Sequence, residues 1–420
     1  MNRSRINDIR IMIAASLLIA SLMLVVVGTS FFVQPVTADL DISRSSFMIH
    51  YTLFTLLSLV TMPLASKLLN RFDIRFLIVL GGCWTGLGLV FMSLTSTLWE
   101  IYLVGIWVGV SLFPASNYLV AVLIDTSFAQ RKGILLGLAT GFGGLGAMVA
   151  SAVLPNLIAE HGWRSGYQVL GSMVVVTALT AATVVKNRHS LPGPRPTATS
   201  DAGAPGIDEM TGMPYPMAMK SKNLWCIFVG VALFCSVLAG QEHYPAHLYE
   251  HGVPSDEISM LMSLFFFFGI PAIPLVGWLV DRFGLTRTAS AIWVAATAGW
   301  TTLAVAEPDL FQDLGVLALV AITANGMLPA IIAGLAFGQR SYARLVAVLL
   351  PAGTLGLAIG APLWGLAYDI AGAYTPAFFL SPMIMGVGFV LAVVGTRRSR
   401  VLWAHPNESR RAKVAGAPRR

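Results

Sequence analysis

The stretch QEHYPAHLYEH, residues 241–251, holds three of the seven histidines in this chain. His243, His247 and His251 stand at i, i+4 and i+8, a spacing that can set three imidazoles on one helix face as for a metal ion. Pro245 opposes a straight helix there. Two other readings stay open: Glu242 and His243 handle a proton or a substrate, or the stretch, with His247, forms the outer mouth of a membrane path. His50 and Tyr51 form a second candidate. His50 can bond within a core, donate to an anionic substrate, or carry a proton near working pH. Asn117 and Tyr118 follow Pro114, where a kinked helix can open a cavity, and Asn325 with Pro329 occupies a matching place further on. These groups can hydrogen-bond a carboxylate or join helices. Thr29 and Gln34 are weaker candidates.

The sequence GFGGLG, residues 141–146, matches the glycine fingerprint of dinucleotide-binding proteins. That fingerprint works only where a strand leads into a tight turn and a helix N-terminus. Here it lies inside an apolar run, 133–155, about as long as the roughly 20 residues that cross a bilayer. Glycines in such a run let helices approach closely. Gly137, Gly141 and Gly144 fall on one side, with Gly143 and Gly146 beside them, and are expected to pack against a neighbouring helix. No cofactor is expected.

The elements that must hold these residues follow from composition. Of 420 residues, 56% are hydrophobic and 11% charged, and the mean hydropathy is +0.75. Soluble domains carry about 25% charged residues, so this is a polytopic membrane protein. Cys83, Cys226 and Cys235 lie in apolar runs and read as buried hydrophobes. The first apolar stretch, from Ile11 to Val33, is long for a signal-peptide core and reads as a retained span.

Twelve apolar segments can be marked, near 11–35, 45–67, 74–96, 99–124, 133–156, 165–186, 223–247, 257–280, 288–306, 313–338, 344–368 and 375–396. The expected architecture is all-α, with twelve transmembrane helices in two pseudo-symmetric six-helix halves, 1–186 and 223–396. Between them, 187–222 is rich in Pro, Gly, Ser and Thr and reads as a flexible linker; 397–420 is a basic tail. With both termini cytoplasmic, 25 of the 27 Lys and Arg fall inside, leaving Arg44 and Arg164 outside. The positive-inside rule fixes that orientation in a cell (inner or plasma) membrane. The net charge of +7 follows from this asymmetry and points to anionic lipids, not nucleic acid.

The halves repeat. SKLLNRFDIR, from Ser66, returns as GWLVDRFGLTR, from Gly277; LFPA at Leu112 returns as MLPA at Met327. AQRKGILLGLATGFGGLG is echoed by GQRSYARLVAVLLPAGTLGLAIG. Such duplication suits a carrier that rocks around a central site.

These residues resemble the major facilitator superfamily. GWLVDRFGLTR is similar to its loop signature. FAQRKGILLGLATGFGGLGAMV, GWRSGY and YDIAGAYTPAF resemble members of the monocarboxylate-transporter-like and oxalate/formate-antiporter-like groups. The resemblance implies a cytoplasmic gate. Asp281, with Gly277 before it and Arg282 and Arg287 anchoring the loop, would face a helix start in the other half near Arg131 and Lys132, where charge and dipole favour a carboxylate. The N-terminal copy departs from the pattern, with Asn70 where Asp is expected; Asp73 can stand in, leaving unequal half-gates.

Span eight, SLFFFFGIPAIPLVGW, holds no cation, nor does the interior of span eleven. A dicarboxylate would lack fixed positive partners, and burying an unpaired charge is costly. Phe265–Phe268 and Trp278 suggest an apolar wall. The inventory suits an alternating-access secondary transporter, a monomer, carrying an organic monocarboxylate with a proton. The rival is an efflux carrier for apolar or weakly cationic compounds. No H-E-x-x-H, G-x-S-x-G or Walker sequence supports an enzyme.

Overall fold

The computed structural model describes residues 3–111, 119–120, 123–124, 127–128, 132–185, 212–305, 310–320 and 328–415. Among these the protein is helical apart from one isolated bridge, Gly212 to Gly338. Eight helical segments are long and apolar enough to cross a membrane. One of them, within α6 (Lys132–Val184), contains two crossings. Straight, its 53 residues would run about 80 Å, more than twice the hydrocarbon core. Gly162, at φ 79° and ψ 164°, turns the chain back; a side chain there would be strained.

The remaining elements can be given in chain order. α1 (Arg3–Gly28) ends in a 3-10 turn, Thr29–Phe32, and resumes as α2 (Val33–Asp39). α3 (Arg44–Arg71), α4 (Ile74–Met92) and α5 (Leu98–Ser111) follow. After α6 come α7 (Tyr215–Lys220) and α8 (Lys222–Leu238), then a second 3-10 turn, Ala239–His243, and α9 (Tyr244–Glu250). α10 (Ser255–Phe283), α11 (Leu285–Val305), α12 (Leu310–Ala318), α13 (Leu328–Phe337), α14 (Tyr342–Ala371) and α15 (Thr375–Ala415) complete the chain.

The duplication read from sequence has structural counterparts. The two 3-10 turns begin 210 positions apart and interrupt matching apolar helices. α6 packs on α1 where a Cβ on Gly146 would lie 2.2 Å from the Ala20 carbonyl oxygen. α14 packs on α8 where a Cβ on Gly356, again 210 positions on, would lie 2.2 Å from the Ala232 carbonyl oxygen. Only a residue without Cβ permits either approach.

The glycines divide between two neighbouring helices, with Gly137 against neither. The close packing belongs to Gly143, whose Cβ would sit 2.1 Å from Ile19, and to Gly146. Gly141 and Gly144 instead face Ile270 of α10 at 3.6 and 3.3 Å, and Gly137 has nothing within 4 Å. GFGGLG is entirely helical, with no strand before it among the described residues. Two boundaries also shift. The linker's end is ordered: Met213 is buried and donates its N–H to the Phe337 carbonyl at 2.8 Å, just before α7. The last helix runs unbroken into the basic tail, to Ala415.

Candidate functional site between two unlike ends

α6 lies against α10, and α3 against α14. These two seams join the first part of the chain to the second. At one end they are tied. Ser43 caps α3 by accepting from the Ser46 N–H, and Asp369 completes that helix start by accepting from the Arg44 and Ser45 N–H groups, each at 3.0 Å. Close backbone approach allows this: a Cβ on Gly365 would lie 2.6 Å from the Ser45 nitrogen. Arg44 is 7% exposed. Its guanidinium pairs with Glu250, donates to the Tyr374 hydroxyl at 2.8 Å, and lies 3.6 Å from the Tyr368 ring centroid.

The network continues into the second 3-10 turn. His243 Nε2 donates to the Ala361 carbonyl at 2.9 Å, since that oxygen can only accept. The neutral ring then accepts the Tyr374 hydroxyl at Nδ1, at 2.8 Å. Arg44, Tyr374 and His243 thus form one directed chain of hydrogen bonds. His247 Nε2 meets the Leu303 carbonyl at 3.2 Å, and His251 Nδ1 meets the His247 carbonyl at 2.9 Å. The three histidines therefore serve separate acceptors, and no metal-ligating group of His, Cys, Asp or Glu is found among the described residues. His247 and His251 share a face of α9, with ring centroids 4.2 Å apart, while His243 ends the 3-10 turn before Pro245, the residue read as opposing a straight helix.

Glu242 sits on that same turn at 1% exposure. Gln241 donates to one of its oxygens at 3.3 Å; the other has no hydrogen-bond partner among the described residues. The turn touches its counterpart Thr29–Phe32 from the first part of the chain, and the carboxyl lies within electrostatic reach of the Tyr51 hydroxyl. A carboxyl so placed, buried and half-satisfied inside a span, is costly as an anion and marks a functional position.

His50 is packed differently from the donor role considered for it. Its Nδ1 bonds the Phe47 carbonyl of its own helix, and its ring contacts those of Phe47 and Phe54. Gly105 of α5 lies against its backbone, where a Cβ would come within 2.9 Å. That is the environment of a hydrogen-bonded core histidine. Asn117, Tyr118, Asn325 and Arg131 lie outside the described residues, as does the Lys132 side chain. Of the aromatic run, Phe265 is buried against Tyr244, while Phe267 and Phe268 are 49% and 46% exposed. The wall expected there reduces to Phe265 and the partly buried Phe266, whose ring centroids are 5.0 Å apart.

The other end is splayed. Going down the α6–α10 seam, contact at Ile270 gives way to empty space: Gly137 and Gly277 each have nothing within 4 Å. Asp281, Arg282 and Arg287 are exposed. Asp281 makes no ion pair or hydrogen bond among the described residues, and the partners expected for it, Arg131 and the Lys132 side chain, lie outside them. Arg282 rests 5.5 Å from the Trp278 ring centroid, in its own helix. Asp73, the residue suggested to stand in for Asn70, caps α4 by accepting from the Arg75 N–H at 2.9 Å.

Comparison with known proteins settles the family. The profile described as Major Facilitator Superfamily matches residues 13–248 and again 243–418. The chain belongs to the Major Facilitator Superfamily. Within it, monocarboxylate transporter 12-B of Danio rerio is 24% identical, over 76% of this chain and 72% of its own length. Monocarboxylate transporter 4 of Rattus norvegicus is 23% identical, over 76% and 68%. The fold is similar to that of a bacterial homolog of the human lysosomal transporter Spinster, solved in an inward-facing, unoccupied conformation. Its TM-score is 0.67 at 14% identity, covering 96% of this chain and 97% of that one. The nucleoside transporter NupG gives a TM-score of 0.71 at 13% identity, over 94% and 98%. This member of the superfamily is therefore a multi-pass, monocarboxylate-transporter-like membrane transporter and not an enzyme.

Arg44 and its partners escaped the sequence reading, which counted that arginine only as an outer loop charge. The signal available was YDIAGAY: two tyrosines and an aspartate beside the expected outer surface, facing one of only two outer cations.

Proposed function

We propose that this protein is a secondary carrier that moves an organic monocarboxylate together with a proton by alternating access. Its two six-span halves rock about the touching 3-10 turns, with both termini cytoplasmic in a cell membrane. The Arg44 end is then the outer side, shut here, and the Asp281 end is the cytoplasmic side, open here. The inward-facing conformation of the Spinster homolog and the likeness to monocarboxylate transporters support that reading. One observation carries it furthest: Glu242, buried and half-satisfied on a broken span between the halves. Of Asp, Glu, Lys and Arg, only Glu242 and Arg44 are buried among the described residues. A carboxyl that crosses between aqueous sides in a dry path does so protonated, which makes Glu242 the proton carrier. His243, one residue on, ties the same turn to the Arg44 cluster, so loading the carboxyl and releasing the outer end act on one short segment.

The test is uptake of a panel of monocarboxylates into proteoliposomes with and without an inward proton gradient. Acid outside should accelerate uptake, and Glu242→Gln should remove most of that dependence while unlabelled substrate still exchanges. Uptake by the parent that ignores the gradient for every acid tested rejects proton coupling. Transport of apolar cations in place of acids would establish the efflux alternative.

A further inference from the structure

The spans of this carrier lack the fixed cation that an anion path calls for, yet one buried cation exists. We propose that Arg44 receives the substrate carboxylate in the state open at its own end, and that Glu250 occupies that position when the end is shut. The inference rests on the monocarboxylate reading above and adds the residue that recognises the anion.

Among the described residues Arg44 is the only buried Lys or Arg. Every hydrogen-bond partner of its guanidinium, Glu250 and Tyr374, lies in the second part of the chain, as does the Tyr368 ring. Its N–H and that of Ser45 are held by Asp369, again from the second part. When the halves part at this end, all of these leave together. Arg44 then keeps no partner from its own half. Arg164, the other cation expected on this side, behaves oppositely: it pairs with Asp39 at 2.7 Å within the first part of the chain, and so stays neutralised in any arrangement of the halves. Of the two, only Arg44 alternates between paired and free.

A guanidinium that binds a carboxylate in one state is shaped for a carboxylate in the other, because the fork of N–H donors is the same. With a single cation the site takes one carboxylate, which selects a monoanion. Substrate and Glu250 compete for Arg44, so a bound anion holds this end open, and closure returns Arg44 to Glu250 as the anion passes inward. By linkage, whatever weakens the Glu250 pair strengthens anion binding from this side.

The experiment measures equilibrium binding of benzoate, with benzamide as its uncharged counterpart, to the purified full chain in nanodiscs. Glu250→Gln, which leaves Arg44 intact but unpaired, should bind benzoate several-fold more tightly than the parent. Arg44→Gln should weaken it by at least about tenfold, the loss expected for a hydrogen-bonded charge, and Arg44→Lys should recover part of it. Benzamide binding should change in none of them. Unaltered benzoate affinity in folded Arg44→Gln overturns the proposal, as does unaltered affinity in Glu250→Gln, which needs no change at Arg44. Failure of the transport reading is seen separately: benzoate that binds through Arg44 but never moves with a proton leaves this site standing and removes the coupling.

Discussion

The two ends of this bundle are built from opposite materials. At the Arg44 end the halves are joined by a buried arginine, two carboxylates, two tyrosines and a histidine, all within hydrogen-bond or ring contact. At the Asp281 end the loop charges are exposed, and a side chain added at Gly137 or Gly277 would meet nothing within 4 Å. Buried charge networks are sensitive to geometry and lose most of their value when the partners separate by a few ångströms. Exposed charges near a helix end gain only fractions of a kcal/mol. The difference teaches that the shut end is held by specific polar contacts, whereas between the ends Ile270 of α10 rests against Gly141 and Gly144 of α6.

Substitutions that break this contrast should rank in order. The largest effect is expected for Arg44→Gln, which removes both the Glu250 pair and the hydrogen bond to Tyr374 and should cost the shut state about 3 kcal/mol. Thiol-reactive probes at this end should then react about a hundredfold faster, while the fold persists. Next is Gly146→Leu. Its side chain has no room against Ala20, and overpacking of about 1–3 kcal/mol should lower folded yield in a thermal-shift assay. Gly137→Leu, two turns away on the open seam, should fold normally. Tyr374→Phe removes the hydroxyl between Arg44 and His243 and should weaken the shut state by about 1 kcal/mol, seen as a smaller rise in the same probe reactivity. Smallest is Asp281→Asn. It makes no ion pair or hydrogen bond among the described residues, so stability and outer accessibility should not move; only the transport rate, which passes through the state closed at this end, should fall.

Much of this was legible in the sequence. Apolar run lengths placed the described spans in helices, whereas the matching 3-10 turns at Thr29 and Ala239 were not read from the sequence, because the repeats noticed at SKLLNRFDIR and GWLVDRFGLTR lie elsewhere in the chain. Helical periodicity placed Gly141 and Gly144 together correctly. It could not say which face of α6 meets α1, so the tight contacts at Gly143 and Gly146 needed the fold. His50 showed the same limit: its type suggested a donor, but the Phe47 carbonyl and the glycine of a neighbouring helix decide its surroundings. Arg44 was hidden for a different reason. Its partners lie 206 to 330 residues away, and a lone arginine beside an outer loop reads as a solvated charge until the two halves are brought together.

Reciprocal movement of the two ends is the central claim, and paired distances measure it directly. Spin labels at Ala38 and Ala371 report the Arg44 end; labels at Gly137 and Gly277 report the Asp281 end, where added side chains meet nothing. With native cysteines replaced, the parent should show a short distance in the first pair and a long one in the second. Arg44→Gln should lengthen the first and shorten the second in the same population of molecules. Distances that lengthen together, or a second pair that stays fixed while the first opens, would contradict alternating access in this protein.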